Sequence, residues 1–367
     1  MKIALIAPGI LPVPPPGWGA VEILIWDYYN ELLVAGHDVV IINKIRRDPS
    51  EQSHPGTTYC RELISEINNG GFDFVHLHYD VLFHIVPFLT ARVIGITSHY
   101  PYIDKLDKHH ADGFNGIFQF MVQLPSTGFP QKVLINFVLA DKDIECLIRN
   151  GADSKYIYKL ENGIADRFTT KSVIEAIHMD KTIYLGKITH RKGQVRYCNL
   201  EGIHIIGPGG EGLANYQGSW TRDEVYSKLS DYGNLLLLSE GEADPLVVKE
   251  AMMAGLGVVV NETSSKNLER DLDFVSIIPE SRLDDLEYIQ CVMDNNRKIS
   301  YQKRDIIRQY AREHFCWPPL IAKYTAIVEN QLAISSGRLG GCVNGCVNGC
   351  VNGCVNGCVN GCMNGCV

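Results

Sequence analysis

The chain has 367 residues, 46% of them hydrophobic, enough for two cores of ordinary size. Its formal net charge is −8 and it carries no basic block, which argues against nucleic acid as the main partner. The opening MKIALIAPGI is broken at Pro8, too early for a signal peptide, and no window has the length of a membrane-spanning helix, so a cytoplasmic address is expected, with peripheral membrane contact left open.

Residues 2–8 (KIALIAP) are an apolar run and predict a buried strand. A Pro/Gly-rich loop follows at 9–19. Residues 20–35, with Val21, Leu24, Ile25, Tyr28 and Leu32 apolar, predict a helix that Gly36-His37 ends, and 39–42 predict a second strand. This opening is a Rossmann-like half-unit, but its loop is not G-x-G-x-x-G, so no conventional dinucleotide site is indicated. Further on, helices are expected at 58–68, 81–89 and 141–149. Strands are expected at 72–78, 92–98, 117–123, 132–137 and 156–160, and His109-His110 read as loop residues. Glu161-Asn162-Gly163 is a turn.

A second α/β unit begins near Lys181. Its expected strands are 182–185, 203–206, 235–238, 258–260 and 272–278. Its expected helices are 223–229, 246–254, 283–294 and 301–314, followed by a last helix at 317–334. From Cys342 the chain repeats Cys-Val-Asn-Gly, once as Cys-Met-Asn-Gly. Gly and Asn at this density disfavour helix and strand, so this tail is read as a disordered low-complexity extension, and no metal site is assigned to it. The other five cysteines, Cys60, Cys146, Cys198, Cys291 and Cys316, are scattered without metal-ligand spacing and are read as reduced thiols.

The chemistry concentrates in 234–260. A buried strand runs into the polar loop 239–244. Asp244 is expected to cap the following helix, with Pro245 at its first position and Gly255 as its left-handed stop. Glu242 lies in that loop and Glu250 inside the helix, where a carboxylate can accept from a pair of sugar hydroxyls. Lys187 and Lys192 share the loop LGKITHRKG and can place two ammonium groups on one diphosphate. Gly17-Trp18-Gly19-Ala20 closes onto a helix N-terminus where backbone N–H groups can approach an anion. His99 follows a strand end beside His76 and His78. The run from Gly207 to Gly212 matches G-x-G-x-x-G but holds Pro208 and starts no convincing helix, so it reads as a glycine-rich loop lining a cleft.

These residues, in this order, resemble the retaining glycosyltransferases of family four. The motifs are GWGAVE, HLH, TSHY, ENGI, LGKITHRKG and EADPLVVKEAMMAGLGVVV, the last matching the family's Glu-x7-Glu signature. The resemblance implies an α/β protein of GT-B architecture, two Rossmann-like domains facing across a cleft, plus the tail. It implies sugar transfer from a nucleotide diphosphate sugar to a glycan, lipid or small-molecule acceptor, with retention and without an obligatory metal or other cofactor. In that reading His99 and Glu242 are catalytic. Gly19, Ala20, Lys187, Lys192, Leu246, Val247 and Glu250 bind the donor. Residues 1–165 form the acceptor-side domain and 166–316 the donor domain. Residues 317–336 pack back on the first domain, 337–367 are the tail, and the protein is a monomer or weak dimer. The chain departs from the family in Lys187 for Arg, Ala20 for Gly, Asp244-Pro245 for Phe-Gly, and a segment between Gly193 and Ile203 too short for the usual helix. A non-catalytic nucleotide-sugar binding protein and a nucleotide-sugar epimerase are the alternatives on this fold.

Overall fold

The computed structural model describes residues 1–123 and 132–336; the repeat tail expected to be disordered lies outside them. Two parallel sheets carry the fold. The first contains β1 (Lys2–Ile6), β2 (Asp38–Ile42), β3 (Phe74–Leu77), β4 (Val93–Thr97), β5 (Val133–Val138) and β6 (Ile157–Lys159), in the order β2-β1-β3-β4-β5-β6. The second contains β7 (His178–Leu185), β8 (Ile203–Ile206), β9 (Tyr232–Leu237), β10 (Gly257–Asn261) and β11 (Val275–Ile278), in the order β11-β10-β9-β7-β8. β3, β4, β9 and β10 are buried at every position, because helices cover both faces and leave no face for alternating polar residues.

Each sheet reverses direction once. From β1 the chain moves outward to β2 and then returns to the other side of β1 as β3. From β7 it moves outward to β8 and returns as β9. At such a reversal the loops leaving two adjacent strands diverge and open a crevice at their carboxyl ends. The loops after β1 and β7 are the glycine- and lysine-bearing loops singled out above.

The helices are α1 (Ala20–Val34), α2 (Thr58–Asn69), α3 (Leu106–Ala111), α4 (Asn115–Gln123), α5 (Asp141–Arg149), α6 (Gln194–Tyr197), α7 (Arg222–Lys228), α8 (Leu246–Met253), α9 (Leu286–Phe315) and α10 (Trp317–Ser335). α9 is pinned to the second sheet by Asn234, a polar residue wholly buried inside β9, which donates to Met293 O at 2.9 Å. α10 then returns to the first sheet. Its Trp317 ring lies 4.6 Å from that of Tyr28 in α1, and the Tyr324 hydroxyl lies 3.1 Å from His76 Nδ1.

Several expected elements differ. Residues 117–123 belong to helix α4, not to a strand. Ile117, Phe118 and Met121 are the buried positions, a helical stripe that a short apolar run does not distinguish from a strand. His109 and His110 lie in α3, and the buried His109 ring bonds to Tyr102 O at 2.9 Å. Residues 80–88 wind as a 3-10 helix containing Pro87. The two helices expected at 283–294 and 301–314 run on as α9, and the break between them falls at Lys303, where the backbone is non-helical, rather than at 295–300. Asp244 does not cap α8: Pro245 is the N-cap residue, and no side chain caps that end.

Candidate active-site cleft

The loops leaving β7 and β9 are fastened together at the edge of the second sheet. Glu240 N–H donates to Arg191 O at 2.9 Å, Ser239 Oγ donates to the same oxygen at 3.2 Å, and the Arg191 guanidinium donates to Gly241 O. Tyr184, buried in β7, donates its hydroxyl to Lys192 O and accepts from Leu238 N–H at 3.0 Å. One phenol therefore spaces the lysine loop from the end of β9. Thr189 accepts from Lys192 N–H and opens a single 3-10 turn that Gly193 closes at φ +76°. A Cβ at 193 would lie 2.7 Å from Leu238 O, so only glycine lets the loop approach this strand. The wholly buried Gln194 donates to Lys187 O at 3.2 Å. Together these bonds fix the backbone that carries Lys187, Arg191 and Lys192.

Glu242 faces this loop from the β9 side. Its carboxylate lies 2.9 Å from Lys192 Nζ and 3.8 Å from the Arg191 guanidinium. On α8, Glu250 lies 2.5 Å from the guanidinium of Arg222, the first residue of α7. The first domain contributes Gly19, the N-cap of α1, at φ +130°. A Cβ there would lie 2.9 Å from Leu11 Cδ1. Neither N-cap residue, Gly19 or Pro245, caps its helix with a side chain, so the N-termini of α1 and α8 end in the same crevice, although the Glu22 carboxylate in the first turn of α1 accepts from its own N–H. Lys187 Nζ reaches across to the Trp18 ring, 4.6 Å from its centroid. His99 stands at the end of β4. Its enclosed Nε2 has no partner, and burial lowers its pKa to about 4, against the opposing pull of Asp244. His99 is therefore neutral at pH 7 and presents one donor and one acceptor.

All the residues singled out from the sequence, His99, Glu242, Gly19, Ala20, Lys187, Lys192, Leu246, Val247 and Glu250, line one cavity of about 320 Å³ between the two sheets. Gly207 and Pro208 line it too, and turns rather than a helix follow them. His76 does not line it; its two ring nitrogens are taken by Tyr324 and by Thr97 at 2.8 Å.

Sequence reasoning missed Arg191 and Arg222, which add two cations to the same wall. Arg191 stands beside Lys192 in the loop already singled out. Arg222 had a signal of its own. Thr221 and Glu224 form a capping box that starts α7 at Arg222, and a cation in the first helical turn opposes the helix dipole. Also missed was a buried cluster at the cavity wall, to which Asn162 and Asp244 contribute. Lys249 Nζ donates to Asp244 Oδ2 at 2.7 Å and to Asn162 O at 2.9 Å, while Asn162 N–H donates to Asp244 Oδ2 at 2.7 Å. It ties the Glu161-Asn162-Gly163 turn to the loop before α8.

No protein-family model matches the chain, and no curated protein matches it in sequence. Solved structures match it along nearly its whole length. Sucrose-phosphate synthase from Thermosynechococcus elongatus aligns with a TM-score of 0.67 at 15% identity, over 91% of this chain and 99% of that one. WaaG, a glycosyltransferase involved in lipopolysaccharide biosynthesis, gives 0.64 at 14%, over 91% and 100%. Anabaena HepE, solved in complex with UDP-glucose, gives 0.62 at 13%, over 92% and 100%. The two facing Rossmann-like domains of this chain are the GT-B fold.

Proposed function

We propose that the protein is a glycosyltransferase that moves a sugar from a nucleotide diphosphate sugar to a hydroxyl acceptor with retention at the anomeric carbon. The observation that carries this reading is a convergence. Lys187, Arg191, Lys192 and Arg222 and the N-termini of α1 and α8 surround one cavity that also holds Glu242 and Glu250. Fixed cations and helix dipoles at one point suit a dianionic group, and paired carboxylates beside them suit the hydroxyls it carries.

In this reading Lys187, Arg191 and Lys192 hold the diphosphate, while N–H groups of Gly19, Ala20, Leu246 and Val247 approach it. Glu250, steadied by Arg222, accepts from the ribose hydroxyls. Glu242 keeps Lys192 extended over the cavity and borders the transferred sugar, and neutral His99 bonds one of its hydroxyls. In transfer, the bond from the anomeric carbon to the diphosphate oxygen breaks and its electron pair stays on the diphosphate. The acceptor oxygen bonds to that carbon from the same face, and its proton passes to the departing oxygen. Charge on the leaving group grows as the bond breaks, so the fixed cations stabilise the transition state more than the ground state. The wall of the cavity comes from both domains, so their closure over a bound donor would exclude water and limit hydrolysis.

A panel of nucleotide diphosphate sugars, assayed for transfer and for donor hydrolysis, tests the reading. Lys192→Ala is expected to lower kcat on the order of 10²–10³-fold, as for loss of one transition-state donor. Turnover that is unchanged in both Lys192→Ala and Glu250→Ala overturns the site assignment. Saturable nucleotide binding with no transfer to any acceptor points instead to a binding protein on this fold.

A further inference from the structure

Tyr102 belongs to the first domain, in the loop that follows His99, yet its ring lies on the second. A Cβ at Gly241 would fall on the Tyr102 ring, against Cζ, Cε1 and the hydroxyl oxygen. Gly241 is not among the glycines with positive φ, so its backbone does not call for glycine; the ring does. The ring is not free to swing aside. Tyr102 is 6% exposed, Tyr100 meets it edge to face with centroids 5.6 Å apart, and the Lys108 ammonium lies 4.3 Å from its centroid. The buried His109 ring donates to Tyr102 O at 2.9 Å and fixes the backbone beneath it. Alongside, the loop after β10 grips the first domain. Lys266 donates to Pro101 O at 3.4 Å and Asn267 donates to Leu139 O at 2.7 Å.

Gly241 is where the donor-side loops are tied. Its carbonyl accepts from the Arg191 guanidinium, and its N–H donates to Ser239 Oγ at 3.3 Å. Glu242 comes next, with its carboxylate 2.9 Å from Lys192 Nζ. A peptide held by hydrogen bonds alone can still pivot; a rigid ring packed on it removes that freedom. Tyr102 does not itself line the cavity, whereas His99, Pro101, Arg191, Lys192 and Glu242 do.

We infer that Tyr102 is a positioning residue: packed on Gly241 across the domain boundary, it sets the Glu242–Lys192 pair, so the cationic wall takes its working shape only while the domains are closed. The inference rests on the glycosyltransferase reading for the reaction that the wall serves, but the contact stands without it. Parting of the domains takes the ring off Gly241 and leaves Lys192 misaligned, which spares a donor from hydrolysis in the open cleft.

The full chain is compared with Tyr102→Ala, Tyr102→Phe and Gly241→Ala. Hydrogen exchange of residues 239–243 is followed without ligand, affinity for UDP, ADP and GDP is measured by calorimetry, and kcat is measured on the donor panel. In Tyr102→Ala, exchange at 239–243 is expected to quicken on the order of tenfold. Its kcat is expected to fall roughly 10- to 100-fold, as for a small misplacement of a catalytic group. Nucleotide affinity is expected to change less than about threefold, because Lys192 matters most as leaving-group charge grows. Tyr102→Phe, which keeps the ring, is expected to restore all three. Gly241→Ala displaces the same ring from the other side, so its loss and that of Tyr102→Ala are expected not to multiply in the double variant. If Tyr102→Ala does not fold, Tyr102→Leu and Gly241→Ala make the same comparison. Unchanged exchange at 239–243 overturns the inference, as do unchanged kcat, kcat and affinity falling by the same factor, failure of Tyr102→Phe to restore, or losses that multiply. Quickened exchange restored by Tyr102→Phe, in a chain that binds no nucleotide and turns over no donor, would support the contact while removing the glycosyltransferase reading.

Discussion

Lys249 and Glu250 are neighbours on α8, both buried, yet they face different things. Lys249 turns away from the cavity into the seam between the domains. There its ammonium is held by Asp244 and Asn162 O, with the Phe315 ring 5.2 Å away. Glu250 turns into the cavity wall, where Arg222 is its only ion-pair partner among the described residues. Both pairs are short and sheltered. The difference is that Lys249 itself lies off the cavity and closes on the Asn162 carbonyl, while both Arg222 and Glu250 line it. A buried pair of the first kind fixes how the elements meet; one of the second kind is held ready for a ligand.

The largest test of this contrast is Asp244→Ala. It leaves the buried Lys249 ammonium with only the longer contact to Glu161 at 3.8 Å, and breaking one side of such a pair costs about 3–5 kcal/mol. Urea unfolding is expected to show that loss. Asp244→Ala combined with Lys249→Met is expected to recover most of it, because no charge is then stranded. A loss under about 1 kcal/mol in the single variant would mean that the seam cluster is not structural.

Glu250→Gln probes the other side. The amide keeps an oxygen for Arg222, so stability is expected to change by less than about 1 kcal/mol. Nucleotide affinity is expected to fall roughly 10- to 100-fold, the worth of hydrogen bonds to a charged acceptor. The reverse pattern, lost stability with affinity intact, would place Glu250 with Lys249 as a scaffold residue.

The histidines repeat the contrast, and pH separates them from the carboxylates. His76 is bonded on both sides, and burial lowers its pKa to about 3 from the ordinary 6.5. The unfolded chain binds this proton first as pH falls, so the contribution of His76 is complete above pH 6.5 and is lost progressively below it. Buried Asp27, Asp80 and Asp143, raised to about 6 by burial, act oppositely: they take up protons in the folded state and add stability as pH falls below 6. Comparing the protein with His76→Gln removes the shared carboxylate effect. Between pH 7 and pH 5 the unsubstituted chain is expected to lose on the order of 2 kcal/mol more than the variant. Parallel stability curves would show that His76 does not titrate as a buried neutral group.

Much of this was legible in the sequence, for physical reasons that also mark where legibility ends. Buried strands in a parallel sheet are continuous apolar runs, and Leu235–Leu238 and Val258–Val260 announced themselves that way. The loops at the two reversals of strand order carry Gly, Lys and Glu at spacings set by local turns, so Gly19, Lys187, Lys192, Glu242 and Glu250 could be singled out. Contacts between segments distant in sequence could not. Asp244 read as a helix cap because Asp before Pro usually is one; its partner Asn162 lies 82 residues away and leaves no local trace. Arg222 joins the site from a helix start that is 28 residues before Glu250 in sequence, and only the fold brings the two together. Residues 117–123 failed for a different reason: seven residues of mixed apolar character fit both periods, and tertiary packing chose the helix.

The smallest test concerns a contact that is neither closed nor buried. Trp18 is 44% exposed, and the Lys187 ammonium lies over its ring, joining the glycine loop of one domain to the lysine loop of the other at the cavity's edge. At an exposed site such a cation–π contact contributes about 0.5–1 kcal/mol. Trp18→Ala is therefore expected to lower the melting temperature by only about 1–3 °C, and Trp18→Phe, which keeps a π face, by less. The ring attracts Lys187 through one side of the ammonium and leaves its other protons for an anion, so nucleotide affinity is expected to shift by less than about fivefold. A loss beyond tenfold in Trp18→Ala that Trp18→Phe restores would move this residue into the same class as Glu250. The ring would then be part of the cavity's ligand-binding wall, and the contact with Lys187 would be how the first domain sets the position of that cation.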